Sequence, residues 1–135
     1  MNREIIFRGK DFLKEEWVYG DLVKTKNFVA IKRTNGDYFH PTQVSPNTVG
    51  QYTGLKDKDG REIYEGDILQ YIGKRRDNMN KVYRRKVVFH EGMFALLSKE
   101  LPVYSALNYH CMEDGRSAWS VIGNIHDNPN YQASV

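Results

Sequence analysis

The chain has 135 residues, a formal net charge of +3 and one cysteine, Cys111. A chain of this length forms one domain or two very small ones, and it buries roughly two thirds of its unfolded surface without help from disulfides. A lone cysteine excludes an internal disulfide, and no apolar run approaches the ~18 residues of a membrane span or resembles a signal peptide. We therefore expect a cytoplasmic protein with no membrane partner.

The composition favours strands and turns over helices. Nine tyrosines, six phenylalanines, two tryptophans and eleven glycines are typical of β-structure, because aromatic side chains suit pleated sheets and glycines suit tight turns. The sequence therefore predicts a mainly β fold.

Short apolar runs predict strands through the N-terminal part of the chain. The first covers residues 5–7, the second covers Trp17–Val23, and a further one covers Thr48–Tyr52. Asn35-Gly36 lies between the runs Phe28–Lys32 and Asp37–His40, and Asn-Gly in that setting predicts a hairpin.

The C-terminal part contains stronger strand signals. Asp67–Ile72 predicts a strand, and Lys86–His90 and Met93–Leu97 predict a hairpin that turns at Glu91-Gly92. Trp119–Ile125 predicts the last strand, with a bulge at Gly123, and we expect ordered structure to end at Asn128-Pro129. The segment 102–112 fits either a helical face or a loop.

These elements predict two parts within one compact unit. Residues 1–55 form an N-terminal β subdomain, a small meander, and residues 56–135 form an SH3-like, partly open β-barrel. We expect Gly36 and Gly60 at hairpin tips. Six side chains should be substantially buried: Trp17, Ile68, Val88, Phe94, Trp119 and Ile122.

The central stretch, residues 49–68, is dense in turn residues. We expect Gly60 at positive φ, and possible positive φ at Gly66, where a strand begins. The structural turn motif comprises six residues: Gly50, Gly54, Gly60, Glu65, Gly66 and Asp67.

This stretch also carries a family resemblance. The string GQYTGLKDKDGREIYEGDIL at residues 50–69, VIGNI at 121–125, and the opening segments 4–8 and 17–22 resemble the YopX family, small proteins encoded by bacteriophages and prophages. The resemblance runs from about residue 3 to about residue 128. It implies a YopX-like β fold and a bacterial host cell, and it supplies no mechanism.

Five carboxylates in the central stretch raise the question of a metal site: Asp57, Asp59, Glu62, Glu65 and Asp67. Placing Gly60 at the sixth position of an EF-hand loop puts Leu55 first and Gly66 last, and neither can supply the required carboxylate. Aspartates in such turns ordinarily bond their own backbone. We expect turn residues, and a metal-dependent hydrolase or nuclease using turn 57–67 stays an alternative.

Other enzymatic signals are absent from the sequence. His40, His90, His110 and Cys111 match no zinc-ligand spacing, so we expect ordinary histidines and a buried thiol. No P-loop, dinucleotide-binding glycine motif or nucleophile elbow is present. We predict no cofactor, no metal and no catalytic residues.

The positive charge is concentrated in one segment, which carries seven cations against Asp77 alone: Lys74, Arg75, Arg76, Lys81, Arg84, Arg85 and Lys86. The resulting +6 exceeds the net charge of the chain. A nucleic-acid backbone or an acidic protein is the natural complement. We expect residues 73–80 to be mobile and Arg84 and Lys86 to lie on the outer face of the following strand.

Tyrosines near this segment have two interpretations. Tyr52, Tyr64 and Tyr71 can stack on bases, as in proteins that bind single strands, or they can lie at the edge of the core with a solvated hydroxyl. Taken together, the sequence predicts a non-enzymatic phage or prophage binding module. The remaining alternative is a self-associating structural module that forms a homo-oligomer.

Overall fold

The computed structural model describes residues 3–34, 40–99 and 103–134. Within these ranges the chain is mainly antiparallel β-strand, with two short 3-10 helices and one short α-helix, which confirms the predicted fold class. The chain divides into two compact units, residues 1–54 and 55–135. No helix in the described ranges has the length and apolar character needed to cross a membrane.

The N-terminal unit is an antiparallel sheet. Its strands are β1 (Phe7–Lys10), β2 (Trp17–Lys24), β3 (Val29–Arg33), β4 (Thr42–Gln43) and β5 (Gly50–Lys56), within which the division between units falls. The strand order is β4-β3-β2-β1-β5, and β1-β2-β3 form the predicted meander. Val18, Ile31 and Val44 are buried together at its core. The predicted turn at Asn35-Gly36 lies outside the described residues.

The C-terminal unit contains the second sheet. Its elements are β6 (Glu62–Tyr64), β7 (Asp67–Ile72), β8 (Val82–His90), β9 (Met93–Leu97), β10 (Tyr104–Ala106), a 3-10 helix (Leu107–His110), β11 (Ser120–Asn124) and α1 (Pro129–Ser134). The sheet order is β10-β9-β8-β7-β11, and β6 pairs with β5. The described strands form an open sheet with β10 and β11 at its edges, so the barrel does not close.

One face of the second sheet carries the core of the C-terminal unit, and we call it the core face. Its buried side chains are Ile63, Leu69, Val87, Leu96, Leu107 and Trp119. Strand alternation places Tyr83 and Arg85 on this face, because they pair with Tyr71 and Leu69 across β7. The neighbouring residues Arg84 and Lys86 consequently point to the opposite face.

The six side chains predicted to be buried divide into two groups. Ile68 and Trp119 are buried, at 0% and 5% exposure. The other four are half-buried: Trp17, Val88, Phe94 and Ile122. Only Ile122 lies on an edge strand, β11, whereas Trp17, Val88 and Phe94 lie on interior strands. One face of an antiparallel sheet can remain partly solvated, so a position on an interior strand does not ensure full burial.

The central stretch and the last strand form one hydrogen-bonded assembly. The buried Asp57 carboxylate accepts backbone N–H groups from Asp59 and Arg61 through Oδ1, at 2.9 and 2.8 Å, and from Val121 through Oδ2, at 2.9 Å. The Gly66 carbonyl accepts the N–H of Ile125 at 2.9 Å. Two of the segments that carry the family resemblance, 50–69 and 121–125, are therefore in direct contact.

The positive φ angles considered in the sequence are present at Gly60 and Gly66. Their φ angles are +89° and +93°, and only glycine adopts such angles readily. The predicted bulge is present, because the register of β11 against β7 shifts between Val121 and Gly123. Turn chemistry was thus readable from the sequence at these positions.

Two expectations about the C-terminal segments were wrong. Ordered structure does not end at Asn128-Pro129, since α1 begins at Pro129, and proline suits the first turn of a helix, where its missing N–H costs no hydrogen bond. Cys111 is not a buried thiol but an exposed one. Its backbone forms a bridge with Ser117, while Leu107 supplies the buried side chain of this segment.

Candidate functional site

The acidic central stretch is organised around backbone hydrogen bonds. Asp57 and Asp67 are buried, and Asp67 Oδ2 accepts the N–H of Tyr64 at 2.8 Å. Within the described ranges no group of three or more histidine, cysteine or carboxylate side chains is close enough to hold a metal ion. Both aspartates accept backbone hydrogen bonds within turns. They therefore act as turn residues, which is the interpretation that their spacing in the sequence favours.

The seven cations of the basic segment lie in three places. Lys74, Arg75, Arg76 and Lys81 are exposed on the β7–β8 loop, which we define as residues 73–81. Arg85 lies on the core face. Arg84 and Lys86 lie on the opposite face by their register with β7, as alternation predicted.

Arg84 is engaged on that opposite face. Its Nε donates to Gln70 Oε1 at 3.1 Å, and its Cζ lies 5.1 Å from the ring centroid of Tyr131 in α1. Arg84 therefore connects β8 to β7 and to α1. Because the seven cations lie in three places, they do not form one continuous positive surface.

The β7–β8 loop is closed by hydrogen bonds, although its polar composition predicted a mobile segment. The N–H of Gly73 donates to the Lys81 carbonyl at 2.8 Å, and the N–H of Asn80 donates back to the Gly73 carbonyl at 2.9 Å. Asn78 Oδ1 accepts the N–H of Arg75 at 2.9 Å. A Cβ on Gly73 would lie 2.1 Å from the Asn78 carbonyl oxygen, so this close approach requires glycine.

A cavity of about 420 Å³ lies between this loop and the core face. Its aromatic wall consists of Tyr71, Tyr83 and Trp119. The ring centroid of Tyr71 lies 6.3 Å from that of Tyr83 and 5.6 Å from that of Trp119, with tilted planes. Tyr71 and Tyr83 are half-buried, so part of each ring is open to the cavity, whereas Trp119 is almost fully buried beneath them.

Positive and neutral polar groups complete the cavity. Arg75 and Arg85 line it together with Asn78 and Ser105. The Arg85 Cζ lies 5.7 Å from the Tyr83 centroid and 6.0 Å from that of Trp119, while Arg85 Nη1 donates to the Arg84 carbonyl at 2.7 Å. Among the described residues that line the cavity none is acidic. An anionic or electron-rich planar ligand is therefore the electrostatic complement.

A second, smaller groove of about 300 Å³ involves the same loop. It includes Gly73, Lys74 and Asn80 from the loop, with the exposed apolar side chains Ile72 and Met79. This groove shares Tyr71 with the first cavity, but Tyr83, Trp119 and the two arginines of the first cavity are not part of its lining. We take the first cavity, with the four exposed loop cations, as the candidate site.

The three tyrosines considered in the sequence have different surroundings in the structure. Tyr71 lines the cavity, whereas Tyr52 and Tyr64 are buried, at 6% and 3% exposure. The sequence analysis did not identify Tyr83, and it placed Trp119 in the core without connecting it to the site. The missing information was the register of β7 against β8, since a nine-residue loop does not specify which side chains face each other.

Comparisons with known proteins identify the family. A family model described as YopX protein matches residues 6–131, nearly the whole chain. The chain belongs to the YopX family. The resemblance of its central and C-terminal motifs to that family is thereby confirmed.

Among solved structures, this YopX-family chain is similar to protein EF1440 from Enterococcus faecalis. The two are 25% identical in sequence with a TM-score of 0.57, and the match covers 95% of this chain and 97% of the other. A search of curated proteins gave no match. Neither the family description nor the name of the solved protein states an activity, a ligand or a partner.

Proposed function

We propose that this YopX-family protein is a non-enzymatic binding module for single-stranded nucleic acid, acting in the cytoplasm of a bacterium that carries a phage or prophage. The backbone of the strand would lie along the exposed cations of the β7–β8 loop. The aromatic cavity would face the bases. The cellular context follows from the phage and prophage association that the family resemblance implies.

The observation that carries the proposal is the position of aromatic rings beside several cations, of which Arg75 also pairs with the exposed Asp77 carboxylate at 3.5 Å. Proteins that bind single strands combine a positively charged groove for the phosphates with aromatic side chains for the bases. Here Tyr71 and Tyr83 line a cavity with Arg75 and Arg85, and Lys74 and Arg76 are exposed on the adjoining loop. Both components occur within one unit of the protein.

A single strand fits this site better than a duplex does. Sequence readout in a duplex uses a helix or β-ribbon inserted in a groove, whereas the candidate site is a cavity between a loop and the face of a sheet. The only α-helix of the described ranges, α1, has six residues and does not line that cavity. A cavity lined by aromatic rings instead admits bases that are already unstacked. The alternative of a metal-dependent nuclease gains no support from the acidic turn, because backbone N–H groups occupy the carboxylates of Asp57 and Asp67.

The test is a binding titration with an oligothymidylate of about twelve nucleotides at several salt concentrations. If the four exposed loop cations each neutralise one phosphate, log affinity falls against log salt with a slope of about −2.8 for a single strand. Changing Lys74 and Lys81 to alanine should weaken binding and reduce the magnitude of the slope by about 1.4.

A matched control changes Lys24 and Lys26 to alanine, since both are exposed lysines of the N-terminal unit and the change in net charge is identical. This variant should keep the parental slope and affinity. Equal losses in the two double variants, or no retention of the oligonucleotide by the parent at about 50 mM salt, would refute the proposal. Equal or tighter binding of a polyglutamate of matched charge would assign the loop to an acidic protein instead.

A further inference from the structure

We infer that the 420 Å³ cavity holds one unpaired base of the bound strand, stacked against Tyr83 and Tyr71 and flanked by Arg85. The inference rests on the proposed function and goes beyond it. Phosphate contacts on the loop require only charge, whereas a base in the cavity requires its aromatic walls. The two contributions are therefore separable by experiment.

The shape of the wall is suited to a planar ring. Tyr71 pairs directly with Tyr83 across β7 and β8, and their planes are tilted by 40° with centroids 6.3 Å apart. Two half-buried rings inclined in this way form a concave aromatic surface rather than a closed stack. Trp119 lies behind Tyr71, with centroids 5.6 Å apart, and supports that surface from the core.

The volume limits the ligand to a small ring system. Small-molecule sites span roughly 300–1,000 Å³, and this cavity lies near the lower end of that range. One base with its sugar suits such a volume, whereas a run of stacked bases does not. The rest of the strand would remain outside, on the loop.

The polar groups of the lining are complementary to the edge of a base and to its phosphate. Asn78 Oδ1 is occupied by the N–H of Arg75, which leaves the Asn78 amide NH₂ as a donor. The Ser105 hydroxyl donates or accepts, and it lines the same cavity. Arg75 is exposed beside the cavity, where its guanidinium can contact the phosphate of the inserted nucleotide. Its Nε lies 3.5 Å from the exposed Asp77 carboxylate.

Arg85 is held as a fixed cation at the wall. Its Nη1 donates to a backbone carbonyl and its Cζ lies near two aromatic centroids, so its guanidinium is positioned before a ligand arrives. Guanidinium planes stack on bases as aromatic side chains do. Lys81, with Nζ 5.1 Å from the Tyr83 centroid, extends the positive charge from the cavity to the loop.

The decisive comparison uses two probes with identical charge: an oligothymidylate and an abasic oligomer of the same length and backbone. The parent should bind the oligothymidylate about tenfold more tightly, since stacking of one base on an aromatic side chain contributes on this scale. Tyr83→Leu keeps an apolar side chain at the sheet and removes the ring. The Tyr83→Leu variant should bind the two probes with about equal affinity. Its salt slope should equal that of the parent.

Tyr109→Leu is the matched control, because Tyr109 is 74% exposed and lies outside the cavity lining. It should keep the tenfold preference. If Tyr83→Leu unfolds, Ser105→Ala provides a second readout, because it removes an uncharged group of the cavity lining and should reduce the preference without changing the salt slope. Equal binding of both probes by the parent, with the predicted salt slope, would overturn the inference while leaving strand binding by the loop cations intact. If the parent binds neither probe at any salt concentration, both the inference and the proposed function are overturned.

Discussion

At the scale of residues, Asp57 connects the central stretch to the last strand, two of the segments that carry the family resemblance. Its carboxylate is fully buried and accepts three backbone N–H groups, two in its own turn and one from Val121. Hydrogen bonds to a charged acceptor are about twice as strong as neutral ones. The sequence predicted the local turn, because aspartate followed by glycine has that chemistry, but it contained no sign of a partner 64 residues away.

Asp57→Asn should therefore destabilise the protein. The amide oxygen can replace one carboxylate oxygen, but the NH₂ group then faces a backbone N–H that loses its acceptor. We expect a loss of about 1.5–3 kcal/mol in the free energy of unfolding, measured by urea denaturation. Asp59→Asn, in the exposed part of the same turn, should stay within about 0.5 kcal/mol. Equal effects at the two positions would show that the buried network contributes little.

Gly66→Val tests the backbone angle at the start of β7. Gly66 has φ +93°, its N–H donates to the Val87 carbonyl at 2.9 Å and it is buried. A β-branched residue at such an angle costs about 1–3 kcal/mol, and Gly66 is buried, so an added side chain would also have to displace its neighbours. Gly60→Val isolates the angle alone, since a Cβ at Gly60 meets nothing within 4 Å. In thermal denaturation Gly66→Val should lower the melting temperature more than Gly60→Val does.

At the scale of elements, the strands were easier to predict than their contacts. The sequence located β7 and the β8–β9 hairpin, because their apolar runs and their turn residues are distinct. It missed β4, β6, β10 and α1, which are two to six residues long and too short to show a period. Alternation placed Arg84 on the face opposite the core face, where it is half-buried against Gln70 and Tyr131. The cavity was not predictable, because its residues come from β7, β8, the loop, β10 and the segment before β11.

The β7–β8 loop should open when Asn78 is replaced by alanine. That change removes the acceptor of the Arg75 N–H, at 2.9 Å, and the effect on global stability should be at most about 1 kcal/mol because the bond is exposed. Local opening appears in amide hydrogen exchange. Exchange at Arg75, Asn80 and Lys81 should accelerate in Asn78→Ala.

Asp77→Ala is the control for this change. Its carboxylate lies 3.5 Å from Arg75 Nε with both side chains about three-quarters exposed, and exposed ion pairs contribute little. Exchange in Asp77→Ala should remain as in the parent. If the two variants exchange alike, Asn78 does not close the loop.

At the scale of the whole molecule, the candidate site belongs to one of the two units. The N-terminal unit has an aliphatic core around Val18, Ile31 and Val44, and the candidate site lies entirely within residues 55–135. The family resemblance supplied the fold and the context. The residues that could bind a ligand emerged only from the pairing of β7 with β8, which brings aromatic rings and arginines to one face.

The most direct measurement of the central claim is an NMR titration of the full chain with the oligothymidylate, following the backbone amides of both units. The proposal predicts shift changes that concentrate in the β7–β8 loop and at Tyr71, Tyr83, Arg85, Ser105 and Trp119, with the amides of β2 and β3 unchanged. Changes spread evenly over both units, or confined to the N-terminal unit, would contradict it.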